Sequence, residues 1–465
     1  MNKSQKILIA LFFLSSISIA NHGRYEQYWS DYEDFANNRG KFKIGQKGVI
    51  VYKKDGLGDS DTIEQPIPNF DGMVDGGAYA LWGDPQILST ASHVGNWGSF
   101  TFIQRHLRKD VDLSEGFKDK ANKDKESIVR EYSERVKMPY MRNLGNDYSI
   151  GRLKTIAFDG YTPETIKNRS QIHYGDLVAR TGGGVNSYAQ DGGERYPVGY
   201  GNIAGGLNKI YHIDGGSFWI KMNKKFQTPL DSASRPGDSG SPAYIWDAKN
   251  NKWLLAGENS AGSGDNNWNK MSIIKQNPDL VNKYMDSIED EKITEDNVTL
   301  NGKTLSFGNS TRVIEDKVEI AKNQTFAKSG LTLTVNSDSD TGASRFRFIE
   351  NANITGTGKF DTAGLIIDKN VNVKYDIISD NKTVIRKRGE GSLTLNGNSK
   401  NDVEVNIGEG SLILNNSNGY AASHVRVAQG AKVILNKDNQ LNDNKIYFGH
   451  RGGTLELKGH NLEFK

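Results

Sequence analysis

GEGSLTLN at residues 389–396 returns as GEGSLILN at 408–415, and AQGAKVILN at 428–436 follows the same scheme. Gly391, Gly410 and Gly430 lie 19 and 20 residues apart, each opening a short run of alternating apolar and polar residues. RGGTLELKG (451–459) continues the series, and SGLTLTVN (329–336) is an earlier member. A unit of about twenty residues with one strand cannot bury its apolar side alone, but stacked coils can, which is the logic of a parallel β-helix. An antiparallel sandwich also uses glycine turns and alternating strands; the near-identity of the repeats favours the solenoid.

Outward from the repeats, the chain changes character near residue 290. All seven tryptophans lie between Trp29 and Trp268, and all ten prolines between Pro66 and Pro278. At the junction, NPDLVNKYMDSIEDEK (277–292) predicts a helix. Asn277 would be its N-cap and Pro278 its first residue, with Leu280, Val281, Tyr284 and Ile288 at helical spacing. The expected organisation is a signal peptide over 1–20, a compact domain over 21–290 and a stalk over 291–465. Within the compact domain, KGVIVYK (47–53), AYALW (78–82), SFTFIQ (99–104), GSFWIKM (216–222), SPAYIWD (241–247) and KWLLAG (252–257) read as strands bounded by turns. Segment 105–137 carries ten basic and eight acidic residues and reads as an exposed, partly helical insertion with no binding patch.

The first residues, MNKSQKILIALFFLSSISIA, place Lys3 and Lys6 before an apolar core from Ile7 to Phe13 and a small-residue site at Ser18-Ile19-Ala20. That is the pattern of a cleaved secretory signal, and the apolar run falls short of the roughly 20 residues of a membrane span. A net charge of +3 over 465 residues gives no field of the kind that attracts nucleic acid. Exported proteins commonly carry disulfides, yet this chain has no cysteine. Passage of an unfolded chain through an outer-membrane pore is one physical reason for their exclusion.

RPGDSGSP (235–242) raises the chemical question, because a serine in a glycine-rich turn is usually only a turn residue. Activating Ser239 needs a histidine to take its proton and a carboxylate to orient the imidazole. Of the eight histidines, His93 stands out: QILSTASHV (86–94) puts it directly after an apolar strand. His173 and His212 are weaker candidates. NDYSIGRL (146–153) sets Asp147 at the head of an alternating strand, with Asp159 and Asp176 in reserve. The order histidine, aspartate, serine differs from that of subtilisins and α/β-hydrolases, and Ser241 stands where a hydrolase elbow needs glycine. Backbone N–H groups of Gly237 and Ser239 could form an oxyanion hole. Asp238 would be a structural carboxylate whose partner the sequence does not identify.

STASHV resembles the T-A-x-H signature of chymotrypsin-clan proteases, and NDYSIGRL resembles that clan's aspartate strand. With DFANNRGKF (34–42), GDSGSP (237–242) and DNKIYFGHRGGTLELKGHNLEF (443–464), the chain resembles the amino-terminal part of a serine protease autotransporter passenger of the immunoglobulin A protease type. The resemblance implies an all-β fold: a chymotrypsin-like double β-barrel followed by the start of a right-handed parallel β-helix. It implies a secreted serine endopeptidase that acts on extracellular proteins, with His93, Asp147 and Ser239 as the triad. By the same resemblance, Ser260, Ala261 and Gly262 of KWLLAGENSAG would line the substrate strand, and Ala233 would floor an uncharged pocket. HVGNWG (93–98) departs from the usual neighbourhood of the histidine. The repeats run to Lys465, so a truncated passenger is expected, with its translocator barrel absent from the chain. No His-Glu-x-x-His or calcium-repeat motif is present, so neither metal nor cofactor is expected. The competing reading is an adhesin whose β-helix binds surfaces.

Overall fold

The structure is a computed structural model. It describes residues 22–74, 77–102, 135–183, 186–189, 195–199, 203–222, 227–234, 237–263, 268–273, 278–379, 383–428, 430–442, 445–449 and 452–462. The signal segment, most of the charged insertion and Asn277 lie outside them. Arg135–Lys137, the end of that insertion, is a strand paired antiparallel with Ser99–Thr101 rather than helix; Val136 supplies the buried side chain that fixes it there.

Six antiparallel strands close a barrel in the order Leu177–Gly182, Ala204–Asp214, Ser217–Lys221, Trp268–Ile273, Lys252–Ser263 and Pro242–Asp247. Its strands contribute Val178, Leu207, Phe218, Ile220, Tyr244, Leu255 and Met271 to a buried core. Beside it lies a four-stranded antiparallel sheet, Ala80–Leu81, Ile87–Ala91, Tyr148–Arg152 and Tyr140–Gly145 in that order. The helix Trp29–Ala36 buries Tyr32 and Phe35. Phe35 meets Phe42 and Phe70 edge-on at 5.9 and 5.4 Å. Within DFANNRGKF, Asn38 has φ +52°, a conformation asparagine tolerates better than most residues. Its amide donates to Pro68 O at 2.7 Å and accepts from Phe70 N at 3.1 Å.

The helix Pro278–Ser287 follows the last barrel strand. Val281, Tyr284 and Ile288 are buried, whereas Leu280 is exposed. Beyond it the repeats stack. Residues 392–395, 411–414 and 432–435 pair in parallel, placing Leu393, Leu412 and Val433 in one buried file and Leu395, Leu414 and Leu435 in another. Thr454–Glu456 adds the last strand of this ten-stranded sheet, and a seven-stranded sheet forms a second wall. Strand residues alternate buried and half-buried in Leu331–Val335 and Ser411–Leu414, as a one-sided apolar pattern requires.

The stalk is fastened to the strand that begins beside Asp147. At that strand's end, buried Arg152 donates to Val318 O at 2.9 Å, Ala343 O at 3.0 Å, Asn323 Oδ1 at 2.9 Å and also Ala321 O. Arg345 grips Asp84 with 2.6 Å contacts to both carboxylate oxygens and reaches Glu289 at 3.0 Å. Further along, Arg388 donates to Ala157 O at 2.9 Å and to Gly160 O. Breaking a buried ion pair by removing one partner costs about 3–5 kcal/mol, because the other charge is left without compensation. Arg345→Met should therefore lower stability by about that amount in denaturant unfolding, and adding Asp84→Asn should recover part of the loss.

Candidate active site

His93 sits in a single helical turn, Ser92–Val94, immediately after the strand Ile87–Ala91. The antiparallel partner of that strand is Tyr148–Arg152, pairing Ala91 with Tyr148, so the histidine turn meets the residue preceding Tyr148. Asp147 there has φ +58°, a left-handed backbone that aspartate tolerates. Its carboxylate makes two contacts: Oδ1 accepts the His93 backbone N–H at 3.0 Å, and Oδ2 lies 2.7 Å from His93 Nδ1. An ionised carboxylate can only accept, so Nδ1 carries the proton and Nε2 is left with its lone pair. The backbone of Ser92 donates to Asp147 O at 3.0 Å, and the Ser92 and Ser149 hydroxyls bond at 2.8 Å. Of the reserve acids, Asp176 pairs with His173 at the surface, Nδ1 to Oδ2 3.3 Å, and Asp159 lines a cavity beside Arg388.

The turn carrying Ser239 approaches from the closed barrel. Gly237 and Gly240 have φ of +102° and +77°, in the region that favours glycine. A Cβ on Gly240 would collide with Thr90 Oγ1 and Ala78 O, so the turn rests directly on the strand leading to His93. Gly240 N donates to Asn259 O at 2.8 Å and Asn259 N to Ser241 O at 2.9 Å, fixing the turn to the Lys252–Ser263 strand. Ser239 itself is half-buried. No hydrogen bond joins its hydroxyl to the imidazole in this structure. The partner of Asp238 is Arg180: Nη1 stands 3.6 Å from Oδ2, with both side chains buried. Sequence inspection missed it, although an arginine inside the otherwise apolar strand LVARTG needs a buried counter-charge.

A second buried acid joins the two halves beneath this site. Glu258 accepts from the Ser89 hydroxyl across the interface, and Ser272 Oγ donates to Asn146 O at 2.7 Å nearby. Burial pushes the Glu258 carboxyl well above its ordinary 4.5, with the Ser89 hydrogen bond acting in the opposite sense. Burial also raises the neighbouring Tyr148 hydroxyl, helped by Glu258. A raised carboxyl holds its proton in the folded state after the unfolded chain has lost it. The stability it provides is thus full below 4.5 and declines as pH rises toward the folded value. Glu258→Gln should flatten that decline, making the variant more stable than the parent at pH 8 with an advantage that vanishes near pH 4; thermal melts across this range would check it.

On the Lys252–Ser263 strand, Ser260 is half-buried and its hydroxyl donates to Lys270 O at 3.1 Å, while Ala261 and Gly262 are exposed beyond a bulge. Ala233 is buried and pairs with His22 of the strand His22–Arg24.

A nearly all-β chain with a barrel on a stack of parallel coils, and an imidazole held by a carboxylate beside a Gly-Asp-Ser-Gly turn, defines a serine-protease-type head on a β-solenoid. Residues 20–277 match the immunoglobulin A1 protease family, and the chain belongs to it. An immunoglobulin A1 protease autotransporter of Haemophilus influenzae is 26% identical over 510 residues, covering 93% of this chain and 32% of the relative. Serine protease EatA of Escherichia coli is 27% identical over 494 residues, covering 98% and 34%. The chain thus spans about a third of the length of these curated relatives. Among solved structures, the Haemophilus influenzae Hap adhesin superposes with a TM-score of 0.75 at 20% identity, covering 95% of this chain and 52% of that one. The passenger domain of the plasmid-encoded toxin of enteroaggregative Escherichia coli gives 0.68 at 22%, covering 95% and 45%.

Proposed function

We propose that this protein is a secreted serine endopeptidase that cleaves extracellular proteins through an acyl-enzyme. The observation that carries this reading is the double hold of Asp147 on His93, 3.0 Å to the backbone and 2.7 Å to the ring. It lies beside a turn whose Gly240 abuts the same strand. In the proposed mechanism Ser239 Oγ attacks the scissile carbonyl while His93 Nε2 removes its proton. The carbonyl oxygen becomes an oxyanion facing the N–H groups of Gly237 and Ser239, each such donor contributing about 2.7–4 kcal/mol. The imidazolium then protonates the leaving amine, and a water molecule activated by the same ring releases the acyl group. Residues 21–290 form the catalytic unit in this account and 291–465 the stalk, after removal of 1–20. Export would run through the periplasm to the surface or medium, by a translocator barrel of the autotransporter kind.

A fluorophosphonate probe should label the wild type, and Ser239→Ala should abolish the labelling; labelling that persists would remove the assignment. Asp147→Asn should lower kcat by about four orders of magnitude, since an amide presenting its N–H to Nδ1 enforces the wrong tautomer. Peptide hydrolysis by that variant, with KM near the parent value, would check it.

A further inference from the structure

The strand His22–Arg24 is held on both edges. It runs parallel to Asn186–Ala189 and antiparallel to Ser232–Ala233, pairing Gly23 with Ser232. Gly23 lies against the Tyr32 ring, where an added Cβ would stand 2.7 Å from Cε2. The buried Tyr32 hydroxyl accepts from Arg24 N at 2.9 Å and donates to Asp231 O at 3.1 Å. Arg24 is itself buried, and its Nη2 and Nε reach Asp231 Oδ2 at 2.8 and 3.3 Å. Asn208 Nδ2 donates to the other oxygen of Asp231 at 2.6 Å.

These contacts lead to the turn carrying Ser239. Ser232, the residue after Asp231, accepts at Oγ from Arg180 Nη2 at 3.1 Å, and Arg180 Nη1 stands 3.6 Å from Asp238 Oδ2. Two glycines leave the room for this: a Cβ on Gly182 would collide with the Asp238 carboxylate, and one on Gly206, which pairs with Arg180, with the Ser232 hydroxyl. Burial lowers the Arg180 guanidinium from its ordinary range, with Asp238 and then Asp231 acting in the opposite sense, so both carboxylates bear on it. Two guanidinium groups and two carboxylates thus alternate in a neutral, buried row from the strand His22–Arg24 to the residue before Ser239. The carbonyl of Asp238 and the N–H of Ser239 belong to one trans peptide and point in opposite directions. That carbonyl accepts from Ser241 N at 3.0 Å. With the Asp238 side chain held inward and its carbonyl bonded, the direction of the Ser239 N–H is fixed.

We propose that Arg24 and Arg180 are positioning residues for the turn carrying Ser239: the seated strand His22–Arg24, through the row Arg24, Asp231, Arg180 and Asp238, aims the N–H groups of the oxyanion hole, and the head works only with that strand in place. This rests on the proteolytic reading above and adds how the site is set. Neither guanidinium touches the reacting atoms in this account; each acts through Asp238. Removing either cation leaves a buried carboxylate without its counter-charge, and the turn is then free to rotate the Ser239 N–H away.

The test measures peptide hydrolysis by the full chain, with active sites counted by fluorophosphonate labelling taken to completion, so that kcat is expressed per labelled site. Arg180→Met should lower kcat per site by about a hundredfold with KM near the parent value, the effect of losing one oxyanion donor. Arg24→Met should lower it in the same way but less, and Arg24→Lys, which keeps the charge, should recover most of that loss. Gly23→Val removes no charge but drives the strand off Tyr32, and should act as Arg24→Met does. A role confined to stability would instead reduce the number of labelled sites and leave kcat per site unchanged. That result in Arg180→Met, or in both Arg24→Met and Gly23→Val, overturns the proposal. A variant too unstable to label is replaced by its milder counterpart, Arg180→Lys, Arg24→Lys or Gly23→Ala, and read by the same ratio. Wild type that is not labelled overturns the proteolytic reading and the proposal with it, whereas labelled wild type beside variants of unchanged kcat per site overturns the proposal alone.

Discussion

One carboxylate organises the head of this protein. Asp147 accepts from both the backbone and the ring of His93, so a single side chain fixes where the imidazole stands and which nitrogen bears its proton. That hold requires the turn after Ile87–Ala91 to meet the start of Tyr148–Arg152, which the antiparallel register of the two strands provides. The turn carrying Ser239 arrives from a separate sheet, and only glycine at 240 permits the approach against Thr90 and Ala78. The placement of the Ser239 turn beside His93 and Asp147 is thus a consequence of how two β-sheets pack, and buried polar contacts such as Ser89 to Glu258 and Ser272 to Asn146 fix that packing.

The same strand ties the head to the stalk. Asp147 stands before its first residue and Arg152 is its last, with the guanidinium spread over carbonyls of the first coils. A side chain with five N–H donors suits irregular backbone that presents several oxygens at once. Arg345 and Arg388 repeat the solution from the stalk side, reaching Asp84 and the 157–160 backbone. The stalk thereby serves as a foundation for the strand whose other end positions the imidazole, and its coils stack on one another through buried apolar files such as Leu393, Leu412 and Val433.

Local patterns were legible in the sequence, and cross-fold partners were not. The repeats announced the solenoid because each strand pairs with the next copy of itself, so Leu393 implies Leu412 and Val433. The junction helix was visible by its spacing, but adjacent apolar residues on a helix point about 100° apart, and Leu280 faces water while Val281 is buried. Arg180, Glu258 and Arg152 escaped notice because each finds its partner on another element, so no neighbouring residue reveals it. The signal was present in a weaker form: Arg180 and Glu258 interrupt apolar strands in LVARTG and LLAGEN, where an unpaired charge would be costly.

The most direct measurement is a crystal structure of the chain after reaction with a phosphonate inhibitor. The account predicts a covalent bond from Ser239 Oγ to phosphorus and His93 Nε2 within about 3 Å of an adduct oxygen. The phosphoryl oxygen should accept from the N–H groups of Gly237 and Ser239. An adduct on another residue, or an imidazole that keeps its bond to Asp147 while pointing away from the adduct, would contradict it.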